Sequence, residues 1–344
     1  MKRLSLVLAF AALACRVGGP NGPRIQVTIP EGASLTAAAD SLRAHGVIGS
    51  TGAFTFYARL LGHSDDIKAG TYEFTPNRPV LSVLKTLTSG REALQRLVTP
   101  EGLMLSEVAD YVSQQLGIPV PAFTAAAHDT SLVRRVGAAE GSLEGYLYPS
   151  TYLVRHGVTA PEVVRMMVEE FEVHWQPSWN VQLHQLHMTR REIVTLASII
   201  EGEVRYDPDR PYVSSVYHNR IARHMRLQAD PTVIYALGHR RRLYEKDYLT
   251  PSRYNTYLID GLPPTPIGQP SQASILAALF PAHTGFLYLV AGPDGRHIFS
   301  RTLTEHLRAV AEVRRATAAV ADPRNGVSTR DSTQRQRRAQ TTQR

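Results

Sequence analysis

Glu201 closes a run of apolar residues and is the side chain of this sequence best placed to transfer a proton. Apolar residues before it recur at the spacing of one helix face, at Ile193, Val194, Ala197 and Ile200. Glu201 falls on that face, close to the expected helix end at Gly202. An apolar surrounding and the negative end of a helix both disfavour a charged carboxylate. A carboxylic acid that keeps its proton near neutral pH can serve as a general acid, as in glycosidases.

Spacing alone leaves a structural role open for Glu201. The carboxylate could cap the helix or form an ion pair with Arg205 or Arg220. Glu203 lies two residues further on, about 200° round a helix, and is expected to face another part of the molecule.

Two downstream stretches carry amides, hydroxyls and aromatic rings, a mixture that binds sugars because rings stack on sugar faces and amides bond to hydroxyl groups. The first, 214–238, contains Asn219, Gln228, Asp230 and Thr232. The second, 254–271, contains Tyr254, Asn255, Thr256 and Tyr257 before a proline-rich loop. The prolines of that loop restrict its backbone, and a plain surface turn is the alternative interpretation.

The elements that must position these residues indicate an α+β protein. A strand from Arg24, helices after Ser34 and Ser50, a strand at 67–74 and a helix ending at Gly90 form a small βααβ-like unit. The mixed α/β remainder has helices at 105–116, 160–175, 190–202, 211–224 and 302–315, and a hairpin at 287–300.

Five ordered segments resemble the YceG-like, or MltG-type, endolytic murein transglycosylases. They are "ASIIEGE", "HNRI", "MRLQADPTVIYALG", "YNTYLIDGLPPTPIGQPS" and "HIFSRTLTEH", and "EGSLEGYLYPSTY" matches the stretch before the catalytic core. The resemblance covers roughly 26–315. It implies a LysM-like N-terminal domain and a catalytic domain in which the first glutamate of the "SIIExE" motif, Glu201, is the catalytic residue.

The resemblance implies a mechanism that suits a lone carboxyl group. Glu201 would protonate the oxygen between N-acetylmuramic acid and N-acetylglucosamine, and then deprotonate the muramic 6-hydroxyl, which closes a 1,6-anhydro ring. Supporting or substrate-binding roles are expected, and no cofactor or metal is implied. The residues chosen for those roles are Glu144, Glu203, Asn219, Gln228, Asp230, Tyr254, Asn255 and Tyr257.

Two positions depart from the family pattern, and two other functions stay open. Gly202 stands where the family usually has Lys or Arg, and Ile221 stands where it has Leu. A hydrolase would use water in place of the 6-hydroxyl and would typically need a second carboxylate, for which Glu203 and Asp230 are candidates. A non-catalytic wall-binding or scaffold protein would use Glu201 only structurally.

Composition argues against several other classes of protein. The net charge is +8, but four of these charges come from 317–344, so the folded part is only mildly basic. The only internal triplet of arginines is 240–242, which is weak support for nucleic-acid binding. His184 and His187 could share a helix face, but further metal ligands are missing nearby.

The N-terminus predicts export to the cell envelope. Lys2 and Arg3 precede an apolar run that is too short to span a bilayer, and Cys15 follows in "ALAC", which resembles a lipobox with Ala12 in the usual Leu position. A lipid anchor, an uncleaved signal anchor and a cleaved form are the alternatives. The first two would place the protein on the inner membrane facing the periplasm or wall, and the family resemblance suggests peptidoglycan synthases as partners.

The expected organisation has four parts. A signal or anchor segment with its linker occupies 1–24, a LysM-like domain 25–92, the catalytic domain 93–316, and an Arg-rich disordered tail 317–344.

Overall fold

The structure, a computed structural model, describes residues 23–321. The expected membrane anchor around Cys15 and most of the expected disordered tail lie outside these residues. The described chain forms two compact units: unit 1 comprises residues up to Leu97 together with Thr151–Thr159, and unit 2 comprises Val98–Ser150 and the residues from Ala160 onward.

Unit 1 confirms the predicted order of strand, two helices, strand and helix. Its elements are β1 (Ile25–Ile29), α1 (Leu35–Ala44), α2 (Thr51–Leu60), β2 (Gly70–Phe74), α3 (Val80–Ser89), β3 (Leu94–Val98) and β4 (Thr151–Arg155). Strands β1 and β2 are antiparallel, with Val27 opposite Tyr72. Ser34 and Ser50 accept hydrogen bonds from the first-turn amides of α1 and α2, as N-cap residues do.

The core of unit 1 lies between the β1–β2 ladder and the three helices. It is made of apolar side chains from all five of these elements, including Val27, Leu42, Phe54, Tyr72, Leu84 and Leu87. Burial of this apolar surface is the main stabilising contribution to so small a unit.

The boundary of unit 1 differs from the boundary expected after residue 92. Strand β3 pairs with β4, more than fifty residues later, so Thr151–Thr159 belong to unit 1 while the chain on either side belongs to unit 2. Local sequence patterns do not report such long-range pairing.

Unit 2 is mainly helical. Its helices are α4 (Leu105–Leu116), α5 (Val120–Ala126), α6 (Thr130–Val136), α7 (Ala160–His174), α8 (Trp179–Leu186), α9 (Arg190–Glu203), α10 (Arg210–Ala222), α11 (Asp230–Leu237), α12 (Gln272–Leu279) and α13 (Leu303–Ala321). The predicted hairpin is confirmed as β5 (Tyr288–Ala291) and β6 (His297–Ser300).

Helix α13 is longer than the sequence predicts. It continues to Ala321, five residues into the segment expected to be disordered. This segment is rich in alanine, which has the highest helix propensity and extends the preceding helix at little entropic cost.

Helix α9 lies at the centre of unit 2. Thr189 and Glu192 form a capping box at its start, and all eight residues from Ile193 to Ile200 are buried. The helix contacts α10, α11 and α12. It is therefore enclosed on all sides, rather than buried on a single apolar face as the spacing predicts.

Candidate active site

The Glu201 carboxylate lies in the last turn of α9 and is surrounded by hydrogen-bond donors. Oε2 accepts from the Ser271 amide at 2.9 Å and from the Ser271 hydroxyl, and it lies 3.2 Å from Arg210 Nη1. Oε1 has one longer contact, 3.4 Å to Arg210 Nη2. The two charged side chains are 10% and 11% exposed, so the pair is largely shielded from water.

These contacts correct two expectations about Glu201. Its carboxylate does not face an apolar surrounding, because a guanidinium and two Ser271 donors lie against it. The ion pair exists, but neither Arg205 nor Arg220 supplies it. The Arg220 guanidinium instead donates to the carbonyls of Arg226, Leu227 and Leu287.

Arg210 begins α10 and is held by groups other than Glu201. Its Nη1 donates to the Ser274 hydroxyl of α12, and its Nε donates to Asp207 at 3.1 Å. Sequence reasoning missed Arg210, Ser271 and Ser274. The available signals were an arginine nine residues after Glu201 and a serine at the end of a family-like segment, and neither indicates contact by itself.

The loop that carries Ser271 is fixed by its neighbour Gln269. The backbone N–H of Gln269 donates to the Leu103 carbonyl at 2.8 Å, and the backbone carbonyl of Gln269 accepts from the Gly102 N–H at 2.6 Å. At Gly268 a side chain would not fit, because a Cβ there would lie 2.9 Å from the Gly102 carbonyl oxygen. Ser271 is thus presented to Glu201 by a loop with little freedom.

Glu144 binds Gln269 of this loop and does not contact Glu201. Glu144 is 5% exposed. Its carboxylate accepts from the side-chain amide of Gln269 at 2.6 Å, from the backbone N–H of Leu105 and from the Tyr235 hydroxyl. Burial raises the pKa of Glu144 to about 7, although the Leu105 amide and the Tyr235 hydroxyl oppose the rise. Glu144 is therefore a positioning residue for the Ser271 loop.

Glu203 faces a different cluster, as expected from its angle on the helix. Burial and the negative charge of Asp230 raise the pKa of Glu203 to about 7, and the Tyr217 hydroxyl offsets part of the rise. Among the described residues, Glu203 Oε2 is shielded from solvent and has no hydrogen-bond partner. Asp230 accepts from the Tyr257 hydroxyl at 2.6 Å and from the Tyr248 hydroxyl at 3.4 Å.

Gly202 fits between these two glutamates because α11 approaches it closely. A Cβ on Gly202 would lie 2.7 Å from Pro231 Cβ, which is shorter than real contacts. The Lys or Arg that the family resemblance leads one to expect at this position would require a shift of Pro231 in this chain.

The remaining predicted residues lie apart from Glu201. Asn255 is completely buried, and its side chain binds the backbone of Tyr248, Thr250 and Tyr257. The Tyr254 hydroxyl contacts Thr265 at 2.9 Å. Asn255 therefore shapes the segment next to Asp230, where it cannot touch a glycan.

Asn219 and Gln228 lie in two further places. The Asn219 amide donates to the carbonyls of Thr284 and Phe286, both at 2.9 Å. Gln228 has a positive φ of 51°, its Oε1 accepts from Arg220, and the residue is exposed. Of the predicted set, only Glu203, Asp230 and Tyr257 come together in one cluster.

Within 23–321, no three His, Cys, Asp or Glu side chains are grouped as metal ligands. His187 has a left-handed backbone conformation just after α8, and it lines the same small pocket as His184. No helix in the same range is long and apolar enough to cross a membrane.

Comparison with known proteins identifies the family. The family model described as the YceG-like family matches residues 27–312, which include both units and the whole surroundings of Glu201.

The chain belongs to the YceG-like family.

Relatives of this YceG-like protein carry an informative name. A protein of Bacillus subtilis strain 168 named endolytic murein transglycosylase is 31% identical over 303 residues, which cover 83% of each chain. A protein of Streptococcus pneumoniae D39 with the same name is 28% identical, and the match covers 84% of this chain but 58% of the relative.

A solved structure shows the same fold. The crystal structure of a yceG-like protein from Listeria monocytogenes is 32% identical, with a TM-score of 0.59. The match covers 84% of this chain and 99% of the other, which confirms the α+β fold.

Proposed function

We propose that this YceG-like protein is an endolytic murein transglycosylase that cleaves the bond between N-acetylmuramic acid and N-acetylglucosamine within peptidoglycan strands. The observation that carries the proposal is the single carboxylate of Glu201, which Ser271 contacts at Oε2 and Arg210 contacts at Oε2 and, at the longer distance of 3.4 Å, at Oε1. The names of the relatives support it.

The two oxygens of Glu201 suit different tasks. Oε2 is engaged by Ser271 and Arg210, whereas Oε1 has only the 3.4 Å contact. Oε1 is therefore the oxygen that exchanges a proton with the substrate, and Oε2 fixes the orientation. Arg210 lies against the carboxylate that remains once the proton has passed to the glycosidic oxygen.

The reaction then needs no water. The proton from Glu201 goes to the glycosidic oxygen, the bond from muramic C1 to that oxygen breaks, and the glucosamine part leaves with a free 4-hydroxyl. The muramic 6-oxygen bonds to C1, and its proton returns to Glu201. Glu201 is regenerated, and the strand ends in a 1,6-anhydro ring.

A hydrolase of the same bond is the second candidate, because Glu203 and Asp230 provide carboxylates in the same unit. Against it, Asp230 is bonded to Tyr257 and Tyr248, and Glu203 is directed to that cluster rather than to Arg210. Typical glycoside hydrolases place two carboxylates on opposite sides of the scissile bond.

A wall-binding or scaffold protein is the third candidate function. A substitution of Glu201 distinguishes it from an enzyme. We expect Glu201→Gln to abolish cleavage of purified peptidoglycan while its sedimentation with the same polymer stays unchanged. The matched control is Glu245→Gln, since Glu245 is exposed and lies outside the site. Cleavage by Glu201→Gln at the parent rate would overturn the enzymatic role of Glu201.

The proposal places the protein at the cell envelope. We further propose an anchor to the inner membrane at Cys15, a glycan-binding role for unit 1 as a LysM-like domain, and termination of nascent strands beside peptidoglycan synthases. The βααβ order of unit 1 supports the LysM-like interpretation. Labelling of Cys15 by lipid precursors in cells is the test of the anchor.

A further inference from the structure

A large cavity lies in unit 2, separate from the Glu201 carboxylate. Its volume is about 1020 Å³, and α9 contributes Arg191, Glu192 and Thr195 to its wall. Thr195 and Glu201 are six residues apart, which places them about 9 Å apart along the helix and about 120° apart around it. The cavity is thus reached from another side of the same helix.

Two arginines of the cavity wall form no salt bridge with other described residues, although the Glu305 carboxylate accepts from the Arg301 backbone amide at 2.9 Å. Arg191 and Arg301 are exposed and form no ion pair with any carboxylate in the described part of the chain. The Arg301 Nε lies against Gly285, another wall residue, 3.8 Å from where its Cβ would be. Many other arginines of unit 2 do have such partners, among them Arg190, Arg210, Arg226, Arg240, Arg241 and Arg253.

The acid in the wall, Glu192, offsets only one of these two positive charges. Glu192 Oε2 accepts from the Thr189 amide and from the Thr189 hydroxyl, each at 2.7 Å, so it is committed to the capping box of α9. The cavity therefore offers positive charge to a ligand.

The opposite wall is rigid and polar. The Ser215 and Thr284 hydroxyls are 2.6 Å apart, and Asn219 binds the backbone of Thr284. His218 donates from Nε2 to the Ala278 carbonyl at 2.8 Å, and burial lowers its pKa. These bonds join α10 to the 281–287 segment, so the cavity is preformed.

The proline-rich loop connects the cavity to the catalytic carboxylate. Its first part, Gly261, Leu262, Pro263 and Pro264, lines the cavity, and its last part carries Ser271 to Glu201. A ligand in the cavity and a glycan at Glu201 would therefore contact the two ends of one stiff loop.

We propose that this cavity binds the carboxylate-bearing peptide attached to the muramic residue of the strand that is cleaved at Glu201. This inference rests on the proposed function. A short peptide of the strand carries free carboxylates, which guanidinium groups bind through paired hydrogen bonds. The volume suits a ligand of a few residues, and the prolines give its aliphatic parts an apolar surface.

The test measures binding of glycan strands to a variant that does not cleave them. In the Glu201→Gln background, affinities are compared for peptide-bearing strands and for strands stripped of peptide by an amidase. We expect Arg191→Gln/Arg301→Gln to weaken binding of peptide-bearing strands at least fivefold and to leave stripped strands unchanged. Arg191→Lys/Arg301→Lys is expected to lose less affinity for peptide-bearing strands, because it keeps the positive charges and loses only the paired hydrogen bonds.

The control removes the same charge elsewhere. Arg242→Gln/Arg308→Gln changes two exposed arginines outside the cavity and is expected to alter neither affinity. An equal loss on both substrates, no loss on either, or displacement by inorganic phosphate as effective as by the free peptide would overturn the peptide site. Cleavage of stripped strands by the protein with native Glu201 is measured separately, so failure of the proposed function is distinguishable.

Discussion

Arg210 Nη1 lies 3.2 Å from Glu201 Oε2, and both side chains are nearly buried at the junction of α9, α10 and α12. A charge removed from such a pair leaves its partner without compensation, which costs more than loss of a surface pair. The pair therefore links the stability of unit 2 to the orientation of the carboxylate.

The first prediction concerns this coupling. Arg210→Gln is expected to lower the free energy of unfolding by about 1–3 kcal/mol and to reduce kcat more than KM, because Glu201 loses its orientation. A double-mutant cycle with Glu201→Gln, followed by urea unfolding, should give a coupling of about 0.5–3 kcal/mol. The same cycle on the exposed pair Arg253–Glu140 should give a coupling near zero. Equal couplings for the two pairs would show that burial does not matter here.

The second prediction separates the two roles of Ser271. Its hydroxyl contacts Glu201 and also caps α12 by accepting from Ser274 at 3.2 Å. Ser271→Ala is expected to cost about 1 kcal/mol of stability as a lost cap, and to lower kcat by about tenfold as a lost contact to the carboxylate. The matched control is Ser34→Ala, which removes the cap of α1 in unit 1. It should cost similar stability with unchanged kcat, and a loss of kcat there would contradict a direct role for Ser271.

The third prediction concerns pH and Glu144. Its folded-state pKa is raised to about 7, so between pH 4.5 and 7 the folded protein holds a proton that the unfolded chain has released. Stability from this group is complete below pH 4.5 and is lost as pH rises through 7. Relative to the parent, Glu144→Gln should therefore gain stability with rising pH over this window, by roughly 1–3 kcal/mol.

Thermal unfolding followed across pH 4 to 8 measures this difference. Glu245→Gln, on an exposed side chain, should give a curve parallel to that of the parent. A Glu144→Gln curve that is also parallel would show that burial does not perturb Glu144.

Gly202 provides the fourth prediction. Because a Cβ there would lie 2.7 Å from Pro231, Gly202→Ala is expected to destabilise unit 2 by about 1–3 kcal/mol, despite the better helix propensity of alanine. Gly52→Ala in α2 is the control, since the nearest atom to its Cβ would be 3.8 Å away. It should be neutral or stabilising by about 0.5–1 kcal/mol. Chemical denaturation of both variants measures the contrast.

Local signals in the sequence predict much of the fold. Ser34 and Ser50 mark the starts of two helices, and the alternation before Phe74 marks β2, because capping and side-chain period depend on near neighbours. The β3–β4 ladder was not predictable in this way, since its two strands are far apart in the chain and each is short.

In the candidate site, too, local features were predictable and long-range contacts were not. Glu201 could be singled out from its position at the end of an apolar run, and the angle to Glu203 follows from helix geometry. The partners of Glu201 could not be predicted from the sequence, because Ser271 is seventy residues away and a short 3-10 turn at Asp207–Asp209 lies between Glu201 and Arg210. An apolar sequence environment predicted a protonated acid, whereas tertiary contacts supply a cation.

In the proposed reaction, Glu201 catalyses cleavage in which the muramic 6-hydroxyl, and not water, attacks C1. The most direct measurement of this reaction is mass spectrometry of peptidoglycan fragments produced in water enriched in heavy oxygen. We predict fragments with 1,6-anhydro-muramic ends that contain no heavy oxygen, formed by the parent and absent with Glu201→Gln. Reducing muramic ends that carry the heavy oxygen would contradict the claim and show that the protein is a hydrolase.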